Sequence, residues 1–583
     1  MHATKMTRLL IAAALFLGGL QGSSFFGEPT CLAQDSQCPL VGFVLSDVDD
    51  RTQYIQTNNQ TTLQQTEAVF AAATKYEANQ SEQCVDLYFQ AATSAWSLAQ
   101  NQLLIRGLMC GRLEQIYQSS LNKLISTGQQ FRRLDPRSGL NVYVNGGWQL
   151  IPVTHQGFVW KPTDFEFLIP TNSSSSTELE RTYRCNGLGV SAIVQRCRGE
   201  GEQFCRDKQT FGATVVLRPV GMESSMPGQF VLELFCPLRV QSIDVAGRPV
   251  SIVRDISAPI AYVMENKATS PVKAFLHPGG TSTDSKLFMI EPYQPGKIPL
   301  VFVHGLLSDP YTWANMANEM FARPEMLERY QIWGFEYATG EPFLTSAADM
   351  RDELWRAQAA FGNDPSFSQM VLVGHSMGGL ISKLQITHSG DQLWQSVSNW
   401  DLPSIATSEY TRERLARAFY FGPSNNIAKV IYMGTPHRGS PWARRAVGRI
   451  GAKLVEEPSS MEAQHKSLVC NNPGNFSREF ERRIPTSIDL LRPDSQLLMA
   501  MDRLCVANHV QEHSIIGSHR RMLGAGPSDG VVPVSSALRR GAQSQTLVRA
   551  KHNDITDKQE TVEELVRILQ QHPGASIAKP TKF

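Results

Sequence analysis

The chain has 583 residues, 42% of them apolar and 19% charged, with 55 Lys and Arg against 54 Asp and Glu. That length is more than one hydrophobic core organises, and the composition excludes disordered and collagenous chains. A formal charge of +1 without a basic stripe excludes the phosphate-neutralising surface on which nucleic-acid binding depends.

At the amino end, Lys5 and Arg8 precede a mostly apolar run from Leu9 to Leu20, followed by Gly22, Ser23 and Ser24. This is the shape of a secretory signal, and the run is shorter than the roughly 20 residues a spanning helix needs. Residues 1–33 read as the signal, with cleavage expected after Ala33, the Gly22 region as second choice and an uncleaved anchor as the alternative, and no later segment reads as transmembrane. The remaining chain is formally neutral and is expected outside the cytoplasm, in the periplasm or beyond the cell. Export makes disulfides the default state of cysteine. Neighbourhood in sequence pairs Cys84 with Cys110 and Cys470 with Cys505, with further pairs among Cys185, Cys197, Cys205 and Cys236. These cysteines lack the paired C-x-x-C spacing of a zinc site, so no metal is expected.

Residues 34–135 read as a helical domain. Leu63, Phe70, Ala73 and Tyr76, then Cys84, Tyr88, Ala91 and Leu98, then Leu113, Ile116, Leu121 and Leu124 recur at helical spacing and predict three amphipathic helices. The segment faintly resembles a tetratricopeptide-like array, which implies a protein partner, but the full repeat pattern is absent. A plain bundle packed on the rest of the chain is the better reading. Residues 136–255 read as a small β-rich domain, with strand-like strings NVYV, WQLIPV, GFVWKP, FEFLIP, ATVVLRP, FVLELF and RPVSIV separated by turn residues. Its aromatic residues read as core, and no site is assigned there.

From residue 256 to 583 short, nearly continuous apolar runs alternate with helical stretches, the pattern of a mostly parallel sheet covered on both faces. The runs are Ile298 to Val303, Gln331 to Tyr337, Met370 to Val373, Ala428 to Met433, Ser514 to Gly517 and Gln545 to Val548. Helices are predicted near 310–322, 344–361, 377–388 and 557–571. The fold class is therefore α/β for this part, preceded by the helical segment and the β-rich domain.

One string carries chemistry. VLVGHSMGGL at 371–380 runs from strand to helix through Gly374, Ser376 and Gly378. A hydroxyl is a weak nucleophile that needs a base in reach and an unobstructed approach. Glycines two before and two after the serine let strand and helix meet in a sharp turn with Ser376 at its apex.

VLVGHSMGG resembles the nucleophile elbow of the α/β-hydrolase superfamily, and neighbouring strings resemble its secreted lipase and esterase branch. The family's fold would carry the acid and then the base after the nucleophile. SDGVVP at 528–533 resembles the acid loop and assigns Asp529. His552, before the terminal helix, falls where the family places its base. Asp554 and Asp502 are the weaker alternatives for the acid, and His513, His519 and His572 read as surface or structural. IPLVFVHGLL at 298–307 resembles the strand and His-Gly loop that, with the residue after the nucleophile, supply oxyanion donors. The carried-over backbone N–H groups are those of Leu306 and Met377, and His304 could equally be an ordinary loop histidine. GTPHRGS at 434–440 resembles a segment leading to the family's cap, with His437 read as structural, and a cap insertion is expected at about 440–512.

The function implied is an exported serine ester hydrolase, with Ser376, His552 and Asp529 in line, an ester substrate for which a water-excluding cap would favour a lipid-like apolar tail, and no cofactor. Two other readings stay open: an acyltransferase or amidase with the same residues, and a binding protein whose hydrolase domain is vestigial.

Overall fold

The computed structural model describes residues 49–106, 111–171, 179–220, 229–266, 285–443, 459–482, 485–522 and 524–573. The signal segment lies outside them, as do Cys38 and Cys110. Residues 1–58 and 59–583 group as separate units, and residues 49–58 are described only as the start of the first helix.

Three helices come first, α1 (Asp49–Ala78), α2 (Gln83–Arg106) and α3 (Arg112–Gln130). A seven-stranded sheet follows, built from β1 (Leu134–Asp135), β2 (Gly139–Val144), β3 (Gly147–Gln156), β4 (Phe167–Pro170), β5 (Val190–Cys197), β6 (Lys208–Pro219) and β7 (Phe230–Phe235). Its order is β1-β2-β3-β7-β6-β5-β4, and the pairings are antiparallel apart from β3 with β7. The helices lie on this sheet: Tyr88, Trp96, Tyr117 and Leu121 share one apolar cluster with Leu140, Leu168, Val215 and Leu234. Gln129 closes the edge, donating to Leu168 O and accepting from Leu168 N–H at 2.7 Å each, which caps an edge strand's free backbone groups.

Two strand expectations change here. GFVWKP is no strand: Phe158 and Trp160 join the core from a bend, and Pro162, which lacks an N–H to pair, opens a short 3₁₀ turn. Its apolar letters signalled burial rather than pairing. Conversely, β5 (VSAIVQRC) is an inner strand buried on both faces, so the apolar–polar alternation that marks a half-exposed strand is missing from it.

The second sheet is β8 (Lys286–Met289), β9 (Ile298–Val303), β10 (Tyr330–Glu336), β11 (Met370–His375), β12 (Ile427–Met433), β13 (Gln511–Gly517) and β14 (Ser544–Val548). Its order is β8-β10-β9-β11-β12-β13-β14, parallel except for the edge pair β8–β10. Alternate residues of each strand feed the two faces. Val301, Val303, Trp333, Leu372 and Val430 pack against α5 (Phe343–Phe361) and α6 (Met377–Lys383). Leu300, Phe302, Ile332, Val371 and Ile431 pack against α4 (Ala314–Phe321) and α7 (Gln559–Gln570). Burial on both faces is why β9, β10, β11 and β12 read as nearly continuous apolar runs. Between β12 and β13 the described chain is mainly short helices, Ser459–Asn471, Arg478–Arg482, Ser487–Leu490 and Gln496–Asp502, where the cap insertion is expected. Asp502 of this insertion lies 3.7 Å from Lys383 Nζ at the end of α6 and within 3.6 Å of Arg438 and Arg539. Among the described residues, no helix is long and apolar enough to cross a membrane.

The expected disulfides do not form among the described cysteines: Cys84, Cys185, Cys197, Cys205, Cys236, Cys470 and Cys505 are free thiols. Cys84 is packed inside the helix–sheet cluster, and buried Cys236 accepts from Arg239 Nη1 at 3.3 Å. Closeness in sequence did not indicate which thiols face each other. Cys110, the expected partner of Cys84, lies outside the described residues.

Near the amino edge of the second sheet, Lys429 of β12 is buried, with Nζ 3.1 Å from His513 Nε2. Burial first, then the nearby Arg567 and Arg329, pull the lysine down to about 8. His513 is pulled to about 4, chiefly by burial, so its neutral ring accepts from the lysine while its Nδ1–H donates to Ser544 Oγ at 2.7 Å. An unfolded lysine holds its proton to about pH 10.4. Between roughly pH 8 and 10.4 the unfolded chain therefore binds more protons than the folded one, and raising pH stabilises the fold. Urea unfolding at pH 8 and pH 10 should show wild type gaining about 2 kcal/mol more than Lys429→Met. Equal gains in the two proteins would refute this account of Lys429.

Candidate active site

The register sets the carboxyl ends of five parallel strands side by side. Val303 pairs with Gly374, His375 with Met433, Met433 with Ile515, and Gly517 with Val548. The loops leaving these ends carry His304 to Leu306, Ser376, Gly434, Asp529 and His552, at the edge where open α/β sheets hold ligands.

Ser376 sits between β11 and α6 at φ 53° and ψ −121°, a strained backbone for a residue with a side chain. The turn holds because its N–H donates to Met433 O at 2.9 Å and its carbonyl accepts from Gly379 N–H at 3.0 Å. The glycines are required by contact. A Cβ on Gly374 would lie 2.5 Å from the Gly379 backbone, and one on Gly378 would lie 2.3 Å from the carbonyl oxygens of Val303 and His304.

The structure brings Ser376, His552 and Asp529 together across 176 and 23 residues of chain. Ser376 Oγ is 2.9 Å from His552 Nε2, and His552 Nδ1 is 2.7 Å from Asp529 Oδ2. All three are buried. A carboxylate only accepts, so Nδ1 carries the proton toward Asp529 and Nε2 is left to accept from the serine. Asp529 is itself held, its Oδ1 taking the N–H groups of Val531 and Val532 at 2.8 and 2.7 Å. The backbone N–H of His552 also donates to Asp529 O at 3.0 Å. A serine, an imidazole and a carboxylate in this order let the imidazole take the serine's proton as the oxygen attacks, with the carboxylate steadying the ring that becomes charged.

Met377 is the first residue of α6, where an N–H has no acceptor within the helix. Leu306 lies two residues beyond His304, in a loop that touches the serine: a Cβ on Gly305 would be 3.0 Å from Ser376 Cβ. The loop is fixed by Tyr337, whose hydroxyl donates to His304 O at 2.7 Å and whose ring stacks on the His304 imidazole at 4.3 Å. His304 is neutral at ordinary pH, burial having pushed it down to about 4.

The remaining candidates lie elsewhere. Asp554 is 3.8 Å from Lys551, and Asp502 is in the ion cluster of the insertion. His572 Nε2 faces Gln369 O, His519 is exposed, and His437 is buried with its ring edge-on to Tyr432 at 4.6 Å. Among the described residues no group of His, Cys, Asp and Glu is arranged to hold a metal.

Three residues were missed in the sequence. His375, inside the elbow string, is 3.0 Å through Nε2 from His552 O. Gly434, at φ 57°, lies against both Asp529 and the His552 ring, and Gly517 leaves room for Asp529, whose Cβ would be 2.7 Å from a Cβ there. A glycine before a loop is too common a signal to have singled out either of the last two.

No family model matches the chain, and no curated protein matches it. Among solved structures it is similar to the mature lipase BlEst2 of Bacillus licheniformis, at 17% identity and a TM-score of 0.31, over 48% of this chain and 97% of that one. It is similar to the butyrate-bound esterase Est2 of Thermogutta terrifontis at 14% identity and a TM-score of 0.28, over 52% and 94%. It is also similar to phospholipase PlaB of Legionella pneumophila at 14% identity and a TM-score of 0.31, over 48% and 60%.

Proposed function

We propose that the chain is an exported serine hydrolase that cleaves carboxylic esters through an acyl-enzyme. The observation that carries this reading is the continuous line from Ser376 Oγ through the His552 imidazole to Asp529, at 2.9 and 2.7 Å. Ser376 Oγ attacks the ester carbonyl as its proton passes to His552 Nε2. The Asp529 carboxylate orients the ring and stabilises the imidazolium that forms. The backbone N–H groups of Met377 and Leu306 are the donors toward the developing oxyanion, preorganised by the helix start and the pinned loop. His552 then gives its proton to the leaving alcohol. Water, activated by the same imidazole, releases the acid and restores the serine. Each proton has an acceptor among these residues, so the sequence of steps uses no cofactor.

A fluorophosphonate probe reacts only with a hydroxyl activated in this way. Wild type is expected to take up one probe per chain, and Ser376→Ala none. An unlabelled but folded wild type would sink the hydrolase reading and favour a non-catalytic binding protein.

A further inference from the structure

His375 belongs to the elbow but has no part in the proton line just described. It is buried. Its Nε2 lies 3.0 Å from the carbonyl oxygen of His552, and the two rings sit 4.9 Å apart between centroids. A carbonyl can only accept, so His375 must be the tautomer with its proton on Nε2. Its other nitrogen, Nδ1, is buried with no hydrogen-bond partner among the described residues. A Cβ on Gly305 would come within 3.1 Å of that atom, so the loop proposed to carry an oxyanion donor closes over it. Burial, and then repulsion from His552, hold the imidazole down to about 3. The ring is therefore neutral, adding no charge beside a base that must itself become positive.

The base needs its main chain fixed as well as its ring. His552 N–H is tied to Asp529 O. Its carbonyl is tied to His375, the residue covalently joined to the candidate nucleophile. We propose that His375 is a positioning residue: by donating Nε2–H to the His552 carbonyl it fixes the base's peptide at the end of β11, so that the distance from Nε2 of the base to Ser376 Oγ is set from within one dipeptide. The inference rests on the hydrolase reading above.

Glutamine can put an amide nitrogen about where the imidazole Nε2 lies, asparagine reaches only as far as Nδ1, and phenylalanine keeps the ring without a donor. His375→Phe and His375→Asn are expected to lose about 10- to 100-fold in kcat for a short-chain ester, as displacements of a reacting group do. KM and thermal midpoint should stay near wild type, and His375→Gln should recover most of the rate. Fluorophosphonate labelling rates of the folded protein should follow the same order. A His375→Phe protein that folds and labels as fast as wild type overturns the inference and leaves the hydrolase reading standing. So does a loss shared equally by all three variants in step with a falling thermal midpoint. A wild type that does not label at all defeats the hydrolase reading instead.

Discussion

Replacing His552 by alanine should abolish turnover, by roughly a million-fold in kcat with little change in KM, because in the proposed mechanism the imidazole both takes the serine's proton and returns it to the leaving group. Ser376→Ala should cost about as much, and the double variant no more than either, since the residues act as one unit. Asp529→Ala should cost less, roughly 10⁴-fold: without it His552 keeps its Nε2 contact with the serine but loses the partner of Nδ1. Steady-state rates on a short-chain nitrophenyl ester measure all four. His552→Ala keeping more than about a tenth of the wild-type rate would remove the imidazole from the mechanism. Multiplying losses in the double variant would mean that the two residues act separately.

Gly378→Ala should be strongly destabilising. Its Cβ would lie 2.3 Å from two main-chain carbonyl oxygens, those of Val303 and His304. Neither is the flexible end of a side chain, so α6 and the loop after β9 would have to part. Overpacking typically costs about 1–3 kcal/mol when side chains can give way, and a clash between two main-chain segments should exceed that, at roughly 3 kcal/mol or more. Alanine at Gly390 meets no atom within 4 Å but takes φ 48°, a strain worth only about 1–2 kcal/mol. Urea midpoints of the two variants decide it. A Gly378→Ala protein as stable as wild type would mean the elbow is looser than the contacts imply.

The elbow was readable in the sequence because its requirement is local: a serine that must sit at positive φ between two backbones in contact leaves glycines at fixed offsets. Asp529 and His552 were found through resemblance and chain order rather than spacing, since nothing in 23 residues of loop and strand states that two side chains will meet. His375 was quoted within the motif and still missed, because its partner is a carbonyl oxygen, which every residue carries. The fold divides similarly. Strands β9 to β12 of the second sheet stood out as nearly continuous apolar runs, whereas β5, whose buried faces include Ser191 and Arg196, showed no period at all. Cysteine spacing misled because pairing depends on which way thiols face.

The helices at the start of the chain and the first sheet were drawn as neighbours in sequence, yet Tyr117 and Leu217 exchange hydrogen bonds through one buried hydroxyl, and Phe204 from the β-rich region is buried in the core beside Trp333 and Phe361. Trimming the chain to its second sheet would thus leave a socket where Phe204 belongs, and trimming only the helices would strip the cover from an oily sheet. Whatever task the first half performs, it is also scaffolding, and a shortened chain would have to be recut with new polar residues on both exposed seams.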